Sequence, residues 1–298
     1  MLVCAPALAA DLPPLHADIS AVTVSGVSSG GYMAVQVHIA HSATVKGAAV
    51  IAGGPYYCAM GSIWTAYFNC MTPGPWTPLP RAALLKSLTD GFAQSGRIDA
   101  TTHLAGAPVW LFSGRNDHTV LPEVVKQLQA YYALYGIKAK LVADKPAGHA
   151  MVTEDSGNKD CAVTREPYIN DCDYDAAGEL LQHLLGPLKP PAKAGPAGEF
   201  DQAYAYIPKI CENERCRVHV AFHGCLQSGE RFPREAGYNR WAESNRLIVL
   251  YPQVKASFFN PRGCWDWWGY TDAAYATKDA VQIRAVWAML ERLSEPAK

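Results

Sequence analysis

The chain has 298 residues, 49% of them hydrophobic and 18% charged, which is enough for one large α/β domain or two small ones with a real core. Its formal net charge of −1 and its lack of a basic run argue against nucleic acid as a partner. No apolar stretch is long enough to span a bilayer, so a membrane is not expected either.

Residues 1–10 read as the remnant of a signal peptide, because Ala7-Leu8-Ala9 fits a small-x-small cleavage site. That predicts a secreted or periplasmic protein. Cysteine usage agrees. Of nine cysteines, Cys4 lies in the leader and eight remain: Cys58 and Cys70, Cys161 and Cys172, Cys211 and Cys216, Cys225 and Cys264. An even count in close couples suggests four disulfides in an oxidising compartment. Eight cysteines allow about 105 connectivities, so this pairing rests on proximity alone. Zinc is the rival reading, but no Cys-x-x-Cys spacing occurs and the histidines do not cluster with the cysteines. No metal and no cofactor are expected.

Ile19 to Val24 alternates like a strand and runs into Gly26-Val27-Ser28-Ser29-Gly30, after which Tyr32 to Val37 can continue as a helix. Strand, tight turn of small residues, then helix is the setting in which Gly-x-Ser-x-Gly forms a nucleophile elbow. Glycine is needed where a side chain would collide at so sharp a reversal. Val45 to Ala52 reads as a buried strand. Residues 56 to 105 are rich in Gly, Pro, Tyr and Trp and read as an irregular insertion, with one helix near Arg81 to Leu88. Pro108 to Phe112 is a strand running into Ser113-Gly114-Arg115-Asn116-Asp117. A helix begins at Pro122 and stops near Gly136, with Val125, Leu128, Tyr132 and Tyr135 as its apolar stripe. Strand Ala139 to Ala143 leads to Pro146-Ala147-Gly148-His149, and a helix spans Ala176 to Leu185.

Residues 187–200 then form a Pro-rich surface linker. Beyond it come strand Gln202 to Ile207, a cysteine-bearing turn, strands Val218 to Phe222 and Leu247 to Tyr251, and a last helix with Ile283, Val286, Trp287, Leu290 and Leu293 on one face. The linker could divide two domains. The part after it has too few strands for a core of its own, so residues 11–298 are read as a single catalytic domain. The alternation of strands and helices predicts a mostly parallel central sheet with helices on both faces.

A serine hydroxyl needs a base to take its proton, and the base needs an anion to hold its tautomer. Asp117 and His149 each follow a strand, and the order Ser28, Asp117, His149 is that of α/β-hydrolase sheets. Asp117 also reads as a turn former and His149 as a loop cap. His118 is too close to Asp117 in sequence to take its hydrogen bond from a different strand end. Negative charge on the attacked oxygen requires preorganised donors. The backbone N–H groups of Ser29, after the nucleophile, and of Cys225, in His223-Gly224-Cys225 after a strand, are the candidates. A Cys225–Cys264 bridge would stiffen that loop. Oxyanion loops usually precede the elbow, yet this one follows it. Joining the last helix to the first strand and cutting near residue 190 restores the usual order, so the chain reads as a circular permutant.

The elbow, the late His223-Gly224-Cys225 loop and the run Asn260-Pro261-Arg262-Gly263-Cys264-Trp265-Asp266-Trp267-Trp268-Gly269-Tyr270 together resemble the secreted poly(3-hydroxybutyrate) depolymerases, of the permuted single-domain kind, over about residues 18 to 293. The resemblance implies a circularly permuted α/β-hydrolase fold, a triad at Ser28, Asp117 and His149, and cleavage of poly(3-hydroxybutyrate) or other short-chain polyhydroxyalkanoate esters and their oligomers through an acyl-enzyme. Trp268, with Asn260, Tyr32 and His223, is expected to contact substrate. Each tryptophan reads equally well as core packing. The expected partner is a polyester or oligoester, and the chain is expected to be a monomer. A feruloyl or acetyl-xylan esterase is the alternative, and a non-catalytic binding protein on a hydrolase scaffold a remoter one.

Overall fold

Apolar runs spaced by helical segments build an eight-stranded sheet in the computed structural model, which describes residues 11–155 and 157–297. The leader and Cys4 lie outside the described residues. In chain order the elements are β1 (Asp18–Val27), α1 (Ser29–Ala40), β2 (Val45–Ile51), α2 (Ile63–Cys70), α3 (Ala82–Gln94), β3 (Val109–Phe112), α4 (Pro122–Ala133), β4 (Lys140–Val142), β5 (Met151–Thr153), β6 (Lys159–Asp160), β7 (Ile169–Asp171), α5 (Ala176–Leu185), β8 (Gly198–Phe200), β9 (Ala203–Tyr206), β10 (Arg217–Phe222), α6 (Arg231–Glu235), α7 (Tyr238–Asn245), β11 (Leu247–Pro252) and α8 (Val281–Ser294).

The main sheet runs β4-β3-β2-β1-β10-β11-β9-β8. Pairing is parallel from β4 through β11 and antiparallel at β9 and β8. Strands β2, β10 and β11 are buried along nearly their whole length and β1 from Val22 onward, as a sheet covered on both sides requires. The cover is visible on β2. A Cβ on Gly47 would meet Leu184 of α5, while Val50 meets Gly31 of α1. Positions 47 and 50 point to opposite faces of a strand, so α1 and α5 lie on opposite sides. Every residue of α1 is buried, and this helix packs on β1, β2 and β10. Among the described residues no helix is long and apolar enough to cross a membrane.

The structure departs from the sequence reading in four places: strand β8 lies within the expected linker of residues 187–200 and pairs with β9, helices α6 and α7 occupy the stretch between β10 and β11, and two further regions differ. The insertion after β2 holds two helices rather than one. Helix α2 escapes a periodicity test because it has eight residues, of which only Ala66 and Cys70 are buried. It is held by a Ser62 cap on the Thr65 amide and by the Cys58–Cys70 disulfide. A small second sheet, β5-β7-β6, follows His149 and is too short in each strand to leave an alternation signal. The disulfides join Cys58 to Cys70, Cys161 to Cys172, Cys211 to Cys216 and Cys225 to Cys264.

Candidate active site

Ser28 occupies the single residue between β1 and α1, at φ 57 and ψ −123. That backbone is strained for a residue with a side chain, and it persists because the surroundings enforce it. The Ser28 amide donates to Ile51 O at 2.9 Å, and Ser28 O accepts from the Tyr32 amide at 3.1 Å. A Cβ on Gly26 would lie 2.1 Å from Gly30 O, and one on Gly30 would lie 2.4 Å from the carbonyl oxygens of Phe222 and His223. Both glycines of the motif are therefore demanded by close backbone approach, the second by β10 itself.

Asp117 follows β3 and is buried. Its Oδ1 accepts the Thr119 and Val120 amides at 2.9 Å each, and its Oδ2 accepts His149 Nδ1–H at 2.8 Å. The two loops interlock: Asn116 donates through its amide to Ala147 O at 3.0 Å and through Nδ2 to Pro146 O at 2.7 Å. The His149 amide donates to Thr164 Oγ1 at 2.8 Å. With Nδ1–H committed to Asp117, the free ring nitrogen Nε2 is the one able to accept a proton. Among the described residues no hydrogen bond joins that nitrogen to Ser28 Oγ. Such contacts commonly tighten only when substrate binds. His118 is exposed, and among the described residues no hydrogen bond joins its ring to Asp117.

His223-Gly224-Cys225 leaves the end of β10 beside the elbow. A Cβ on Gly224 would lie 3.4 Å from Ser28 Cβ. Among the described residues neither the Ser29 nor the Cys225 amide meets a protein acceptor, so both donors stay available. The Cys225–Cys264 bridge anchors this loop to the tryptophan-bearing segment.

A cavity of about 240 Å³ opens at Ser28, walled mainly by apolar side chains from α1, α2 and the segment 259–268. Tyr32 stacks on Trp267 with ring centroids 3.9 Å apart, and its hydroxyl donates to Cys70 O. Burial, with the Asp117 charge adding to it, raises the Tyr32 pKa, so the phenol stays protonated. Trp268 also lines the cavity, whereas Trp265 packs edge-on against Phe222 at 5.0 Å. Asn260 lines it too, but its amide is spent locally: Oδ1 accepts from the Cys264 amide and Nδ2 donates to Cys264 O and Tyr270 Oη. His223, expected to contact substrate, lies fully buried behind the loop and off the cavity wall. Its Nδ1–H donates to Gly224 O at 2.7 Å and its Nε2 accepts from the Val254 amide at 3.2 Å. Burial pulls its pKa down to about 4, which keeps the ring neutral. Sequence reading missed the α2 side chains Ile63 and Tyr67, and Phe259, all on the wall. A larger hollow of about 700 Å³, edged by Glu154, Asp155, Arg234 and Arg240, contains none of Ser28, Asp117 and His149.

A strained serine at a strand–helix turn of a mostly parallel sheet, with an Asp–His pair on neighbouring strand ends, defines an α/β-hydrolase-type ester hydrolase. The family model described as Esterase PHB depolymerase matches residues 202–294. The poly(3-hydroxybutyrate) depolymerase of Delftia acidovorans is 42% identical over 96% of this chain, and the chain spans 62% of that protein's length. The polyhydroxybutyrate depolymerase of Talaromyces funiculosus is 32% identical over 95% of this chain and 92% of its own. A solved PHB depolymerase from Penicillium funiculosum superposes with TM-score 0.86 at 30% identity, covering 95% of this chain and 98% of that one. A second structure, a PHB depolymerase variant complexed with a 3-hydroxybutyrate trimer, matches equally, at TM-score 0.86. The chain belongs to the PHB depolymerase family.

Proposed function

We propose that the chain is an exported serine esterase that hydrolyses poly(3-hydroxybutyrate), or other short-chain polyhydroxyalkanoates and their oligomers, through an acyl-enzyme. Ser28 Oγ attacks the ester carbonyl while His149 Nε2 takes its proton, and Asp117 stabilises the imidazolium that results. The Ser29 and Cys225 amides receive the developing oxyanion. Collapse expels the alcohol end of the chain, protonated by His149. Water, deprotonated by the same nitrogen, then releases the acid and restores Ser28.

The observation that carries this reading is the Asp117–His149 bond at 2.8 Å beside a serine elbow that opens into an apolar cavity. A polyester offers methyl groups and ester dipoles but no charge, and such a cavity with backbone donors suits it. Ile63, Tyr67 and Phe259 of the wall are exposed, Trp64 follows Ile63 on α2 and is exposed too, and Phe258 packs edge-on against Phe259 at 5.2 Å, so apolar side chains extend outward from the cavity. Four disulfides support an oxidising destination.

We also infer a permuted chain order within one catalytic domain. The Leu15 and Ala17 amides both donate to Leu293 O, so the stretch before β1 runs beside the end of α8, which is what a joined ancestral connection needs. The test of function is a product assay on amorphous polymer, hydroxybutyrate trimer and methyl ferulate side by side, with the Ser28→Ala variant as control. Hydroxybutyrate release that Ser28→Ala abolishes is expected. Preference for methyl ferulate would favour a carbohydrate esterase instead.

A further inference from the structure

The Cys225 N–H belongs to the same rigid peptide plane as the Gly224 carbonyl, so fixing one group aims the other. That carbonyl is held from two sides. His223 Nδ1–H donates to it at 2.7 Å and the Gln227 amide donates to it at 3.3 Å. The Gln227 side chain holds the preceding peptide as well, since its Oε1 accepts the Gly224 amide at 2.7 Å. Gly224 is thereby gripped at both its N–H and its C=O.

Each gripping residue is itself anchored. The Val254 amide donates to His223 Nε2, which leaves the hydrogen on Nδ1, facing Gly224. Gln227 Nε2 donates to Pro167 O at 3.1 Å and Tyr168 O at 2.9 Å. Those carbonyls lie in the segment closed by the Cys161–Cys172 disulfide. The same segment seats the base: Thr164 Oγ1 accepts the His149 amide, and Cys161 O accepts the Gly148 amide. One short disulfide-closed segment therefore braces both the histidine loop and, through Gln227, the oxyanion loop.

We propose that Gln227 and His223 are positioning residues, which together hold the Gly224–Cys225 peptide so that its N–H meets the oxygen that turns negative when Ser28 attacks. This rests on the esterase reading above. Neither side chain touches substrate. Their effect passes through a donor that is used most strongly in the transition state, so their loss lowers kcat rather than raising KM.

The test compares the full chain with its Gln227→Ala and His223→Phe variants on p-nitrophenyl butyrate, and measures inhibition by butylboronic acid, which forms a tetrahedral adduct on an active serine. Each variant is expected to lose about 10- to 100-fold in kcat, the range set by misplacing a single oxyanion donor. KM is expected to stay within about threefold, and the boronate to weaken by a factor similar to the kcat loss. The double variant loses less than the product of the two, because both act on one peptide plane. Variants that melt lower yet keep the parental kcat and boronate affinity below their melting point would overturn the proposal. Should Gln227→Ala not fold, Gln227→Glu serves: it keeps the acceptor for Gly224 but loses the donors to Pro167 and Tyr168, and parental boronate affinity in it overturns the proposal equally. Ser28→Ala separates the two readings. If it remains active the esterase assignment itself fails; if it is silent while Gln227→Ala and His223→Phe behave like the parent, only the positioning role fails.

Discussion

Asp117 and His149 are 32 positions apart in sequence and meet at 2.8 Å, carboxylate oxygen to Nδ1. The contact is built by backbone: a Cβ on Gly114 would lie 2.2 Å from Ala147 O, so only glycine lets the two loops close. Asp117→Asn should leave the fold in place and reverse the demand on the ring tautomer. The expected loss in kcat is on the order of 10⁴-fold, read on p-nitrophenyl butyrate with melting temperature as a control. A loss smaller than about tenfold would remove Asp117 from the proposed mechanism.

The exposed aromatics around the cavity predict a separation of substrates. Trp64 is 71% exposed and Phe258 91%, and each large ring can bury well over a hundred Å² against a polymer surface. The Trp64→Ser/Phe258→Ser double variant is expected to slow hydrolysis of a polymer film severalfold while p-nitrophenyl butyrate turnover stays unchanged. Equal loss on both substrates would assign these rings to the cavity rather than to the surface.

Acid should destabilise the fold. Burial depresses the pKa of His38 to about 4, of His219 to about 3 and of His223 to about 4. Their reference value in the unfolded chain is about 6.5. Below about 6.5 the unfolded chain takes up protons that the folded chain refuses, so this share of stability is complete above that pH and lost as pH falls toward about 4. Each such ring contributes a slope of about 1.4 kcal/mol per pH unit in that window. His38→Leu should flatten the fall of melting temperature with acid, and an equally steep fall in that variant would contradict the account.

The Cys225–Cys264 and Cys211–Cys216 bridges close loops of different reach, with sequence separations of 39 and 5. Chain entropy puts the longer closure at about 4 kcal/mol. Replacing both members of either pair by alanine should lower the melting temperature, more for the first pair. Only the first should also lower kcat at temperatures where the variant is folded, because Cys225 carries the proposed oxyanion donor. Loss of kcat from Cys211→Ala/Cys216→Ala of the same size would show that the effect is general softening.

Much of this molecule is legible one segment at a time. Strand β1, the Gly26 to Gly30 turn and helix α1 announce themselves through alternation, small residues and an apolar continuation. Strands β3 and β4 likewise mark where Asp117 and His149 must lie, at strand ends. Helix α2 is silent because its large rings face outward, the reverse of the pattern that betrays a packed helix. His223 misleads for a related reason: its place after a strand suggests the cavity, and only its two hydrogen bonds, to Gly224 O and from the Val254 amide, turn it inward.

The amino-acid order by itself determined the alternation of strand and helix and the serine at a tight turn, because these arise from contacts between near neighbours, where side-chain period and glycine freedom act directly. Tertiary structure alone decided which tryptophans reach the cavity, that Gln227 ties the His223-Gly224-Cys225 loop to the segment that also holds the His149 amide, and that His223 serves the backbone. Those outcomes depend on which atoms meet across strands distant in sequence, and hydrogen-bond geometry between such atoms leaves no periodic trace along the chain.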